Sequence, residues 1–169
     1  MISDKMCKVL NNQVNAELFS SYLYLSMSSW FSERSLSGFA SWMRVQAQEE
    51  LSHGMKIYDY ILERGGKIEL GAIEQPESVW STPVEVVEEV ANHEAKVTGL
   101  VNDLVDVALD ERDHAANIFL QWFVCEQVEE EATVGEVLER MKMVDGNSGG
   151  MFAMDMELGK RVFTLPVVE

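Results

Sequence analysis

Apolar residues return at steps of three and four along four long stretches of the chain. Nowhere do Val, Ile and Thr alternate with polar residues for long enough to suggest a strand. The prolines are Pro76, Pro83 and Pro166, so the first 75 residues and residues 84–165 contain none. Proline-free periodic stretches predict long helices. The pattern places them at about residues 4–33, 39–64, 83–111 and 114–144, with a short fifth helix over 151–162. Ser3 or Asp4 suits the first N-cap, and Gly65 with Gly66 suits the end of the second helix. Thr82, Pro83 and Glu85 form a capping box, the clearest helix start in the sequence. Residues 35–38, 110–113 and the glycine-rich 145–150 are expected turns, and residues 164–169 an extended tail. The expectation is a single all-α domain spanning residues 1–169.

The link between the second and third helices sets the topology. The 15 residues from Lys67 to Ser81 span ~50 Å when extended, whereas a helix of about 27 residues is ~40 Å long. The link is therefore long enough to cross the whole bundle and leave the second and third helices parallel. Two antiparallel hairpins joined by a long crossover is the preferred arrangement. In the first helix, residues 18–31 are apolar on nearly every side, which calls for burial against more than one bundle core and so for an oligomer.

Each inward stripe turns acidic near its middle. The first reads Met6, Leu10, Gln13, Glu17, Ser20, Tyr24, Met27, Phe31, and the second Phe39, Trp42, Gln46, Glu50, His53, Ile57, Tyr60. The third reads Val87, Val90, Glu94, Val97, Val101, Leu104, Ala108, and the fourth Phe119, Phe123, Gln127, Glu130, Val134, Val137, Met141. Glu17 and Glu50 lie 19 and 14 residues from the first hairpin turn, and Glu94 and Glu130 lie 19 and 17 from the second. At ~1.5 Å per residue the four heights agree within ~3–8 Å. Four facing carboxylates without Lys or Arg in the seam leave three outcomes: unequal heights, protonation, or a bound cation. A feature repeated on four helices at one level favours the cation. Two divalent ions balance four carboxylates, and His53 adds a nitrogen one turn after Glu50. Carboxylates with one imidazole and no thiolate suit iron or manganese better than structural zinc, and a redox-active iron pair is expected. A lone E-x-x-H is common by chance. A single interior Glu is more often a misplaced stripe than a ligand.

Charge narrows the partners. Asp and Glu number 29 against 13 Lys and Arg, a net charge of −16, which argues against nucleic acid and favours cations. Cys7 and Cys125 are the only cysteines and form no C-x-x-C, which argues against a disulfide framework, a zinc ribbon and a rubredoxin-like centre. No leader and no membrane-length apolar run is evident. A soluble, cytoplasmic protein without a membrane partner is expected. His93 and His114 read as surface groups, Trp122 as packing, and Gly54 and Gly99 as possible close helix contacts.

Three segments carry a resemblance: N-N-Q-V-N-A-E-L-F-S-S-Y-L-Y-L (residues 11–25), F-A-S-W-M-R-V-Q-A-Q-E-E-L-S-H (39–53) and F-L-Q-W-F-V-C-E-Q-V-E-E-E-A (119–132). Together they resemble the non-haem ferritins of bacteria and archaea, over nearly all of the chain. The resemblance implies a ferritin-like four-helix bundle with a short fifth helix, assembled as a twenty-four-subunit cage. It implies oxidation of Fe(II) by dioxygen or hydrogen peroxide and deposition of a ferric oxyhydroxide mineral inside. It assigns Glu17, Glu50 and His53 to a first iron position and makes Glu50 a bridge to a second, completed by Glu94 and Glu130. Gln127 matches a hydrogen-bonding group beside the pair, and Tyr24 a tyrosine that can donate an electron. Glu49, Glu126 and Glu129 match a third iron site, although a solvated acidic face, Glu131 included, is the competing reading. The second half carries Gln127-x-x-Glu130 where bacterioferritins repeat E-x-x-H. No spacing among the ten methionines identifies a haem ligand, so no haem is expected.

Three other functions compete. A rubrerythrin-like peroxidase is disfavoured by the missing C-x-x-C. A passive iron-binding bundle is disfavoured by the complete Glu17, Glu50, His53 and Glu94 set, and a DNA-protecting mini-ferritin by the fifth helix and the absence of basic tails.

Overall fold

Five helices follow one another in the computed structural model, which describes residues 1–164. They are α1 (Asp4–Glu33), α2 (Ser37–Glu63), α3 (Pro83–Asp110), α4 (His114–Val144) and α5 (Ser148–Leu158). No strand occurs among the described residues, and the expected extended tail lies, from residue 165 on, outside them. Local chemistry sets most boundaries. The Ser3 hydroxyl accepts from the Met6 amide at 3.1 Å, and the Thr82 hydroxyl from the Glu85 amide at 3.1 Å. Glu85 reaches back to the amide of Ser81 rather than Thr82, at 2.6 Å. Both hairpin turns pass through a left-handed residue other than glycine, Ser35 (φ 60°) and Arg112 (φ 54°).

Two helices depart from the sequence pattern, each for its own reason. The second helix begins at Ser37 rather than residue 39 because its first amides find a partner far along the chain. Asp155 Oδ1 accepts from Gly38 N at 2.8 Å and from Phe39 N at 3.0 Å. Asp155 lies on α5, so a distant carboxylate replaces a local cap. Gly38 permits the approach, since a Cβ there would fall 1.6 Å from the Asp155 carbonyl oxygen. The fifth helix spans Ser148–Leu158 rather than 151–162. Asn147 caps it by accepting from Gly150 N at 3.0 Å, so Gly149 and Gly150, read as turn residues, lie in its first turn, while Gly146 (φ 72°) stays in the turn. Past Leu158 the chain leaves the helix at Gly159, packed close to Gly38.

The core falls into two apolar clusters. One joins Tyr24, Met27 and Phe31 of α1 to Phe39 and Met43 of α2, Val87 and Val90 of α3, and Val134, Val137 and Met141 of α4. The other joins Met6, Leu10 and Val14 to Ile57 and Ile61, Val101 and Leu104, and Leu120 and Phe123. The start of α3 therefore meets the end of α1 and the start of α2, which makes α2 and α3 parallel and each hairpin antiparallel, as a crossing link requires. Two stripe residues, Tyr60 of α2 and Phe119 of α4, are only half-buried, and they stack on each other at 3.8 Å between centroids.

The crossover lies along α1, held by side chains of that helix. Asn11 donates to Lys67 O at 2.9 Å and accepts from Glu69 N at 2.7 Å. Asn15 donates to Ala72 O, Ser26 to Glu77 O and Trp30 to Trp80 O, at 3.0, 2.7 and 3.1 Å. These bonds satisfy backbone groups that no helix serves. They also account for part of the broad apolar surface of α1, since Trp30 packs against Trp80. Tyr22 and Leu25 stay 51% and 46% exposed.

Asp155→Ala is expected to lower the thermal midpoint, by an amount corresponding to ~1–2 kcal/mol, and Asp155→Asn by less because it keeps an acceptor. Melting followed by circular dichroism compares the two.

Candidate metal centre

Between the two apolar clusters lies a polar band, drawn from all four long helices at the level predicted from residue counting. Glu17 of α1, Glu50 and His53 of α2, Glu94 of α3, and Gln127 and Glu130 of α4 are all buried. The i, i+3 spacing places Glu50 and His53 on one face of α2, with Oε2 and Nδ1 3.7 Å apart. Glu17, Glu50 and His53 each offer a ligand atom within 4.8 Å of the others. Gly54 follows His53 where α2 approaches α1, for a Cβ there would meet the Glu17 Cβ at 3.3 Å. Gly99, by contrast, faces nothing within 4 Å.

Neutral donors orient three of the carboxylates. Gln13 donates to Glu17 at 2.8 Å and Gln46 to Glu130 at 2.9 Å. Glu94 accepts from the Tyr24 hydroxyl and, at 3.2 Å, from Gln127, whose amide also reaches the Glu94 carbonyl oxygen and Thr98. Gln13 and Gln46 were predicted only as stripe positions. Gln13 lies one turn before the acid it serves, a spacing that could have marked the pair, whereas Gln46 serves an acid 84 residues away on another helix, which no local spacing marks. No neutral donor reaches the Glu50 side chain among the described residues; its hydrogen-bonding neighbour is the Glu17 carboxyl, which needs a proton held between the two acids. Glu17 Oε2, Glu50 Oε1 and His53 Nε2 are buried without any partner, a costly state for three polar atoms that a shared cation relieves. Their donor chemistry, hard oxygens and one imidazole, fits iron.

The electrostatics follow from burial. Desolvation first, and the Glu50 charge next, push the Glu17 carboxyl well above its ordinary range; desolvation and then Glu94 do the same to Glu50. Glu94 is raised to about 7, mainly by desolvation, against the lowering effect of Tyr24. Tyr24 is itself held above its usual value by burial and by Glu94.

A second acidic group flanks the first. Glu49 is raised to about 7 by burial, opposed by Arg161, and Glu126 is raised by burial, opposed by His53. Glu126 Oε1 lies 3.9 Å from His53 Nε2, while Glu129 and Glu131 are exposed. Arg161 was not predicted at all: its guanidinium reaches Gln46 and, at 2.8 Å, Glu49. Nothing in the helix periodicity marks it, because it lies beyond α5. His93, expected at the surface, is instead half-buried with Nε2 2.8 Å from Ser20 Oγ. It sits one residue before Glu94, on the flank of α3 that meets α1, among the rings of Phe19 and Tyr24. Burial and then Lys96 lower its pKa to about 4. His114 is exposed, as expected. Trp122 packs edge-on against the His53 ring, 5.3 Å between centroids.

Raised carboxyl pKa values have a definite sign in stability. A carboxyl whose folded value exceeds its unfolded value contributes most stability below the unfolded value. That contribution is lost as pH rises toward the folded value. Glu50→Gln is therefore expected to raise the thermal midpoint of the metal-free protein clearly at about pH 8, and much less at about pH 5.5. Scanning calorimetry of chelator-treated protein checks this; an equal change at both values contradicts the assignment.

Comparison with known proteins agrees with this geometry. A model of the ferritin-like domain matches residues 7–144. A bacterial non-heme ferritin of Bacteroides fragilis is 45% identical over 161 residues, covering 95% of this chain and 100% of that protein. A probable bacterial non-heme ferritin-like protein of Haemophilus influenzae is 37% identical, covering 94% of this chain and 96% of its own length. Among solved structures, an engineered closed form of the Archaeoglobus fulgidus ferritin superposes with a TM-score of 0.96 at 47% identity, covering 97% of this chain and 100% of that one. The open-pore ferritin of the same archaeon gives 0.94 at 46% identity, covering 95% and 98%. Matches in sequence and fold over nearly the whole chain lead to one conclusion: this chain belongs to the ferritin-like domain family, as a non-haem ferritin of the bacterial and archaeal type.

Proposed function

We propose that this chain takes up Fe(II), oxidises it with dioxygen or hydrogen peroxide at a pair of positions inside each subunit, and stores the ferric product as an oxyhydroxide mineral within a hollow homo-oligomer of twenty-four copies. The observation that carries this reading is the convergence of three buried, unpartnered ligand atoms, on Glu17, Glu50 and His53, beside two further buried carboxylates. Family membership points the same way.

In this reading Glu17, Glu50 and His53 receive the first Fe(II), and Glu50 shares its carboxylate with a second Fe(II) bound by Glu94 and Glu130. Two divalent ions cancel the four carboxylate charges, so each loading displaces the protons that burial otherwise keeps there. Paired sites suit the chemistry. Each Fe(II) gives one electron, so a pair takes dioxygen to hydrogen peroxide, or hydrogen peroxide to water. Gln127 donates to Glu94 from α4 while Tyr24 donates to it from α1, so the carboxylate is oriented between them. Tyr24, bonded to Glu94, is placed to give up a further electron. Glu49, Glu126 and Glu129 form an outer third position on the neighbouring faces of α2 and α4. The reading has no role for haem, nucleic acid or membrane, and among the described residues no helix is long and apolar enough to cross one. Cytoplasmic residence belongs to the same proposal.

Assembly is supported by apolar side chains that one chain leaves uncovered, among them Tyr22, Leu25, Ile118 and Phe152. Sedimentation should give about 460 kDa, the mass of twenty-four copies of a 19.1 kDa chain; a small oligomer would count against the cage.

Stopped-flow absorbance after mixing Fe(II) with aerated protein tests the chemistry. Glu50→Ala and His53→Ala are expected to slow the initial oxidation ~100-fold, and Gln127→Ala ~10-fold. Rates equal to wild type in the first two would rule out the assigned pair.

A further inference from the structure

Arg161 follows α5, yet its guanidinium ends among the acids that flank the buried pair. Nη2 lies 2.8 Å from Glu49 Oε2, and Nη1 bonds to Gln46 Oε1. Gln46 in turn donates to Glu130 at 2.9 Å. The contact is sheltered, with the two side chains 29% and 15% exposed. Across from it, Glu126 approaches His53. The Arg161 charge opposes the upward shift that burial imposes on both Glu49 and Glu126, so it acts on the acids of α2 and α4 together.

An arginine stays protonated at any working pH, and its planar fork grips two acceptors at once. The guanidinium therefore supplies a fixed positive charge on Glu49 itself, near enough to Glu126 to be felt there, at the acids where a third metal ion belongs in the reading above. A divalent cation at bonding distance from Glu49 and a guanidinium hydrogen-bonded to the same carboxylate repel each other. We propose that Arg161 is the resident counter-ion of the outer acidic position, and that a third iron binds there only by displacing it. This rests on the reading of Glu49 and Glu126 as metal ligands.

Two consequences follow from reciprocity of coupled binding. Arg161 weakens the third position without touching the buried pair's ligands directly. Iron entering that position, in turn, frees the segment after α5 from α2. The outer position thus fills after the inner pair, and its filling is transmitted to residues 159–164.

The test is an anaerobic calorimetric titration of the assembled protein with Fe(II), in wild type, Arg161→Gln and Arg161→Lys, with hydrogen exchange of residues 159–164 in the wild type. Two tight steps are expected in all three proteins, followed by a weaker third. Arg161→Gln should tighten the third step ~10-fold, while Arg161→Lys, which keeps the charge, should stay near wild type. Exchange of residues 159–164 should accelerate only past two equivalents of Fe(II) per subunit. A third step unchanged or weakened in Arg161→Gln, or exchange indifferent to the third equivalent, overturns the displacement. Absence of the two tight steps from the wild type overturns the dinuclear reading and this proposal with it.

Discussion

Four carboxylates converge in the middle of a helix bundle, where water cannot solvate them, and this constraint governs the rest of the molecule. Without a partner each would cost several kcal/mol. The response of the metal-free chain is visible in the raised proton affinities of Glu17, Glu50 and Glu94. A proton is a poor substitute for a cation, since one held between Glu17 and Glu50 serves those two acids alone and gives nothing to His53 Nε2, which is buried without a partner. The band is best understood as a region kept below its stability optimum so that it can accept metal.

Everything around the band serves to tolerate it. The apolar clusters on either side carry the packing, so the polar layer need not. Gln13, Gln46, Gln127 and Tyr24 supply hydrogen bonds without adding charge, fixing Glu17, Glu130 and Glu94 while leaving their negative charge for the ion. Glu50 alone has no such donor among the described residues, which suits a carboxylate proposed to serve two ions at once. The crossover has an equivalent role at larger scale. By running along α1 on Asn11, Asn15, Ser26 and Trp30, it makes α2 and α3 parallel and brings Glu94 to the height of Glu50.

The short fifth helix and the residues after it link the end of the chain to this region. Asp155 caps α2 two turns before the helix reaches Gln46, and Arg161 touches Gln46 and Glu49 themselves. One stretch of about a dozen residues thus completes the start of α2 and adds a positive charge at the edge of an acidic centre. This gives the last helix a reason to dock on α2 that burial alone does not supply, for only Met154 and Asp155 of α5 are buried.

Much of this was legible in the residues alone, because helices translate spacing into position. Periodicity of 3.6 assigns each residue to a face, and 1.5 Å per residue assigns it a height, so the acids at 17, 50, 94 and 130 could be brought to one level by counting. The capping box at Thr82 and the long proline-bearing link were similarly local, and they implied the parallel placement of α2 and α3. What counting could not reach were contacts made by residues outside the repeating pattern. Asp155 capping α2, Arg161 entering the acidic flank, and His93 turning inward to Ser20 each join positions more than 70 residues apart. No periodicity relates such pairs. They exist because the packed helices bring separate surfaces within reach, and only there does a side chain acquire a partner that its own segment does not encode.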